Sequence, residues 1–260
     1  MTRAILTAAL VAFAVTAHAD VTIKQTMSGK ALGINGSASS TTYIKGSKMR
    51  TEMVTGDTTR VSIFDLDTQT MYSFDSKKKE ADVYSLGQLQ ADMAKAVDVS
   101  SITASFEPNG KTKDIAGKTA TGYDMTMSVP TALGGGDMKM TLTMTGPVWI
   151  VKGGPGAADW ANFYKQAADK GFVFGDPRAA KANPGQSKAM GELYRKMAAV
   201  GGIAYETEMT MKMEGSGPLA GLMAKMGGGT STTTTTDVSA GALADDLFAP
   251  PAGYKLKERK

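Results

Sequence analysis

Methionine is the residue type in this chain whose number and spacing could do chemistry: there are 18 in 260 residues. Several recur at alternate positions, as Met125/Met127, Met138/Met140/Met144 and Met209/Met211/Met213. A two-residue period places such side chains on one face of a β-strand. Thioethers in that arrangement admit three readings. They fill irregular gaps in an ordinary core. They line an adaptable apolar cavity, because an unbranched, flexible side chain accepts varied hydrophobic shapes, such as an acyl chain. Or they offer soft sulfur to Cu(I) or Ag(I).

Other chemistry is limited by what is missing. There is no Cys, and the single His is His18. That histidine lies in a secretory leader: Arg3 is its positive n-region, Ala4 to Val15 its mostly apolar run, and Ala17-His18-Ala19 an A-x-A cleavage site. The run is too short for a membrane span, which takes about 20 apolar residues. We therefore expect cleavage after Ala19, export to the periplasm and one mature domain over residues 20–260. Without His or Cys, that domain cannot build a Ser-His-Asp triad, a Cys nucleophile, a His-ligated zinc or a two-His-one-carboxylate iron site. The expectation is a binding protein, not an enzyme, with no cofactor.

The net charge of +4 points to no polyanion. Positive and negative residues are interspersed, and aromatics do not alternate with a Lys/Arg stripe as a single-strand groove requires. Nucleic acid is not an expected partner; a lipid or other hydrophobic small molecule is. Lys255, Lys257, Arg259 and Lys260 form a basic tail read as solvated, with the charge to make peripheral contact with anionic headgroups.

Shorter motifs reduce to turns. Gly117-Lys118-Thr119 lacks the first glycine of a phosphate loop, because Thr112 stands there. Ser76-Lys77-Lys78-Lys79 fits S-x-x-K without its companion motifs. Asn35-Gly36 reads as a hairpin turn, Pro108-Asn109-Gly110 as another, and Asp65-Leu66-Asp67 as turn carboxylates without a calcium loop's glycine and glutamate.

The elements that must position these residues follow from periodicity. Short alternating runs from Val21 to Tyr84 predict an antiparallel meander, and alternation resumes at 102–106, 118–129, 138–151, 205–213 and 230–238. Three stretches have helical spacing: about 86–97, 155–170 with Trp160, Phe163, Tyr164 and Ala167, and 187–200 with Met190, Leu193, Tyr194 and Met197. Residues 218–226 suggest a further short helix. The predicted class is mainly β with inserted helices (α+β), each helix laying its apolar face on one long curved sheet. Met125, Met127, Met138, Met140, Met144, Met209, Met211, Met213 and Trp160 are the candidate ligand contacts.

One resemblance spans most of the mature chain. Its elements are Gly46-Ser47-Lys48-Met49-Arg50-Thr51-Glu52, then Ile63-Phe64-Asp65 and Met71-Tyr72-Ser73-Phe74-Asp75. They continue with Ile115-Ala116-Gly117-Lys118 leading to Tyr123, the Trp149 strand before a Gly-Pro helix, and Phe248-Ala249-Pro250-Pro251-Ala252-Gly253-Tyr254. In this order they resemble LolA-like periplasmic lipid and lipoprotein carriers, and above all the branch known only as a domain of unknown function. The resemblance implies a half-open β-barrel whose concave apolar face is covered by a helical lid, with acyl chains as cargo. It also implies a role for Arg50, the position that best matches an arginine holding the lid.

Overall fold

Alternation of apolar and polar side chains underlies most of the twelve strands that the described residues form in a single sheet. A computed structural model describes residues 20–31, 34–96, 102–133, 138–170, 184–215 and 228–259. The first meander comprises β1 (Val21–Ala31), β2 (Ile34–Lys45), β3 (Lys48–Thr55), β4 (Thr58–Asp65), β5 (Thr70–Asp75) and β6 (Glu80–Ser85). Helix α1 (Leu86–Ala96) then leads towards β7 (Thr103–Ile115), β8 (Lys118–Leu133) and β9 (Met138–Val151). Helices α2 (Ala157–Asp169) and α3 (Pro184–Val200) separate β9 from β10 (Ile203–Gly215). The chain ends with β11 (Gly228–Ala240), a 3-10 turn (Asp245–Phe248) and β12 (Lys255–Arg259).

The spatial order is β12-β6-β5-β4-β3-β2-β1-β11-β10-β9-β8-β7. Two meanders therefore meet at β1 and β11. All neighbours are antiparallel except β12, which runs parallel to β6. The sheet also curls. Helix α1 leaves the end of β6, yet it touches α3, which packs on β7 and β8 near the far edge. Nine strand intervals would separate β6 from β8 by roughly 43 Å in a flat sheet, while an eleven-residue helix is only about 16 Å long. The ends of the sheet have to turn towards each other, leaving β7 and β12 as open edges.

Register explains the inner core. Val21, Ile44, Met49, Phe64, Met71 and Tyr84 lie opposite one another across β1 to β6 and make one apolar row. Phe163 of α2 and Leu193 of α3 join the same core. Helix α2 begins at Gly156, where φ is +69° and a Cβ would lie 2.1 Å from Val21 Cγ2. Glycine permits both the left-handed backbone and the close approach.

Several expectations need correcting. Asn35-Gly36 is not a turn: both residues lie in β2, and Gly36 pairs with Gly29. Ala31 already pairs with Ile34, so the chain reverses before Asn35 is reached. Pro108-Asn109-Gly110 does not end a strand either. It is a bulge within β7, where register shifts between Pro108 and Thr112. Asn109 stabilises the bulge by accepting from Lys111 N at 3.0 Å and donating to Asp124 Oδ1 at 3.0 Å. Lys255, Lys257 and Arg259 of the basic tail lie in edge strand β12, while Lys260 is outside the described residues. Lys257 pairs with Glu80 and Arg259 with Asp82, because alternate tail cations meet alternate carboxylates on β6. By contrast, Asp65 does serve a turn, its Oδ1 accepting from Asp67 N at 2.9 Å and Thr68 N at 3.0 Å. Ala116-Gly117 joins β7 to β8, and Ile115 pairs with Lys118. The leader at 1–19, the helix expected at 218–226 and Val97 lie outside the described residues.

Candidate functional site

Strands β8, β9 and β10 bring most of the selected methionines onto one face. Met127 lies directly opposite Met144, and Met144 directly opposite Met211. These three side chains are 0, 2 and 8 % exposed. They form a cluster with Val129, Leu142 and Ala189, against which Met190 and Met209 also pack. Met125 occupies the next row, opposite Phe106 and Gly146, and belongs to the main core together with Trp160. Met140 is buried opposite Gly215, while Met213 is half-buried opposite Leu142. Met138 opens β9 opposite Leu133.

Helix α3 covers this surface with small residues. Gly185, Ala189, Leu193 and Met197 are its buried positions. A Cβ at Gly185 would lie 2.9 Å from Val129 Cγ1, so the helix rests close on the sheet. Sequence periodicity predicts a face through Met190, Leu193, Tyr194 and Met197. Packing rotates it so that Met190 and Tyr194 sit at the margin. The i, i+4 spacing of Gly185 and Ala189 is the signal that could have located the contact face.

Helices α2 and α3 are tied to each other. Arg195 Nη2 donates to Ala168 O at 3.0 Å, and Tyr164 stacks on Tyr194 with ring centroids 4.8 Å apart. Trp160 continues the aromatic group, 4.3 Å from Tyr164. Two links run from α2 and its end to the sheet and its turns: the Tyr164 hydroxyl donates to Met49 Sδ at 3.8 Å, and Lys170 Nζ to Leu66 O at 2.7 Å. Burial pushes the Tyr164 phenol well above its usual range, with the neighbouring Tyr194 adding to the effect; burial also raises Tyr194.

Arg50 is on the other face. Strand alternation turns Met49 towards the helices and Arg50 away from them. Its Nη1 donates to Leu247 O at 3.0 Å and its Nε to Glu52 at 2.7 Å, while the guanidinium lies 5.9 Å from the Phe74 ring centre. It therefore holds the C-terminal segment, not the helices. That segment covers a separate outer core of Val61, Ile63, Phe74, Ala81 and Phe248. Sequence reasoning did not identify this second core. Its contributors between 243 and 254 have no helical or strand period, and their partners are far away in sequence.

Chemically, the inner site offers apolar surface and neutral sulfur. Among the described residues, no group of three or more His, Cys, Asp or Glu side chains is placed to hold a metal ion. None of the described helices is long and apolar enough to cross a membrane.

No protein-family profile and no curated protein sequence matches the chain. Among solved structures it is similar to PNGF-II at 13% identity and a TM-score of 0.37, over 93% of this chain. It spans only 31% of the length of that protein. It is similar to a DUF1329 family protein from Desulfovibrio piger at 9% identity and a TM-score of 0.31, with 90% of each chain covered. A third similar structure is a domain described as an outer membrane lipoprotein-sorting protein from Vibrio parahaemolyticus. There the identity is 12% and the TM-score 0.28, over 88% of this chain and 89% of that one. Scores this low carry nothing about ligand or activity. The strands themselves establish the class: mainly β, a twelve-stranded and mostly antiparallel open sheet with inserted helices.

Proposed function

We propose that this protein is an exported, non-enzymatic carrier of a hydrophobic ligand, a lipid or acyl chain, held between the methionine-rich inner face and the helical pair α2/α3. The observation that carries the reading is the make-up of the α3 contact. Gly185, Ala189 and Met190 meet Val129 and the methionines of β8 to β10, whereas the polar ties of α3 described above run to α2. An apolar contact rich in methionine can repack around an inserted chain at small cost, because thioether side chains change rotamer easily. The leader at 1–19 supports delivery to the periplasm. Leu256, 55% exposed on β12 between Lys255 and Lys257, suits peripheral contact with a bilayer from which cargo is collected.

The test is extraction of the mature protein, purified without detergent, followed by mass spectrometry and displacement of a fluorescent fatty acid. We expect co-purified lipid and saturable uptake of the probe. A lipid-free protein that also takes up no probe would overturn the reading.

A further inference from the structure

We propose that Met127, Met144 and Met211 form a three-thioether site for a monovalent soft cation, Cu(I). The inference does not depend on the lipid reading, because it rests on sulfur donation and not on apolar burial. Its basis is the register. One methionine from each of three adjacent strands falls in a single row, the middle one flanked on both sides.

Simple geometry makes the row competent. The Cα positions of β8 and β10 lie about two strand spacings apart, roughly 9.6 Å. Met144 stands one strand spacing, about 4.8 Å, from each of the other two, and on the concave side of a curled sheet flexible thioethers from three adjacent strands can converge above the row. Met144 supplies the third donor from between them. Thioethers favour Cu(I) because both partners are soft, and among the described residues no group of three or more His, Cys, Asp or Glu side chains competes for a harder ion. Val129, Leu142 and Ala189 surround the row with hydrocarbon, which disfavours the doubly charged Cu(II).

The row also has a graded approach. Met127 is fully enclosed and Met211 lies at the margin. Met209 and Met213 flank Met211 on the same face of β10, both half-buried, and Met190 adds a partly buried thioether from α3. Half-buried thioethers thus lead to the enclosed ones. An acyl chain and a cation exclude each other at this row, and the two proposals have separate readouts: extracted lipid for one and methyl spectra for the other.

The experiment uses the full mature chain labelled with 13C at the methionine methyl groups. It is titrated anaerobically with Cu(I) against bicinchoninate, and with Ag(I) as a redox-inert probe. We expect uptake of one equivalent, with shifts at the methyls of Met127, Met144 and Met211 and none at the exposed Met53. Changing all three to Leu keeps the volume nearly constant, so circular dichroism should be retained while the equivalent is lost. The proposal is overturned if no cation competes with bicinchoninate, if the shifts are confined to Met53 or spread evenly, or if the triple-Leu variant binds like the wild type. Should that variant not fold, the wild-type methyl spectrum decides alone, with single Met→Leu variants providing assignments.

Discussion

Arg50 shows how one position in a strand decides between two roles. Met49 and Arg50 are neighbours in sequence and contact opposite halves of the molecule, Met49 meeting Tyr164 on the helical side and Arg50 the Leu247 carbonyl on the other. Replacing Arg50 by Met keeps much of the aliphatic stem and removes the charge, the carbonyl bond and the Glu52 pair. The guanidinium is largely enclosed, with its side chain 12% exposed. We expect Arg50→Met to destabilise the fold by about 1–3 kcal/mol, measured by urea unfolding. Hydrogen exchange should rise first in residues 243–254. A rise centred on α3 instead would restore the lid-holding role that the resemblance implied.

At the scale of elements, the C-terminal segment works as a strap across the outer face. Phe248 is buried in the outer core, and Tyr254 meets Phe74 edge-on with centroids 5.3 Å apart. Polar ties fasten it. Asp20 Oδ2 accepts from Leu243 N at 2.7 Å, Lys45 donates to Leu243 O at 2.6 Å and pairs with Asp245 at 2.8 Å, and β12 pairs with β6. The hydrogen bond from Lys45 lowers the Asp245 carboxyl below its ordinary value, and the bond from Lys257 does the same for Glu80. A carboxyl lowered in the folded state stabilises above its unfolded pKa, about 4, and this contribution is lost as pH falls through the lowered value. In return, Asp245 raises the Lys45 amine, whose contribution is present below its unfolded pKa and lost only in strong alkali. The carboxylates are exposed and the two lysines half-exposed, so the effect is local and screened by salt. Acid should loosen the strap before it unfolds the sheet. Brief pepsin digestion below pH about 3 should release fragments from 241–259 first, and more readily in high salt. Simultaneous cleavage throughout the chain would refute the strap as a separate unit.

At the scale of the whole molecule, the curl of the sheet matters most, because it gives two distant edges a common set of helices. Tyr164 marks that closure: it touches Met49 of the first meander and stacks on Tyr194 of α3, which rests on the second. Its phenol is raised by burial, and a raised folded value stabilises below the unfolded phenol pKa of about 10 and is lost as pH climbs through the folded one. In an alkaline titration, the phenolate absorbance of Tyr164 should therefore appear only with global unfolding. Comparison with Tyr164→Phe isolates its signal. A Tyr164 that ionises smoothly while near-UV dichroism stays native would contradict the closed arrangement.

Much of this architecture was readable from local pattern. Alternation marked most of the strands, though not β12, three-four spacing marked helices at about 86–97, 155–170 and 187–200, close to those observed, and the absence of His and Cys beyond residue 18 restricted the available chemistry. These features depend on neighbours within a turn or a pleat, so the sequence by itself determined them. The tertiary structure alone decided the joining of β1 to β11, the curl, the strap over the outer face and the side on which Arg50 acts. It also aligned Met127, Met144 and Met211 in one row. Each of these rests on partners far apart in the chain, and a one-residue change in register would turn every side chain of a strand to the opposite face. Period two shows that a methionine belongs to a face; only strand pairing shows which thioethers it meets there.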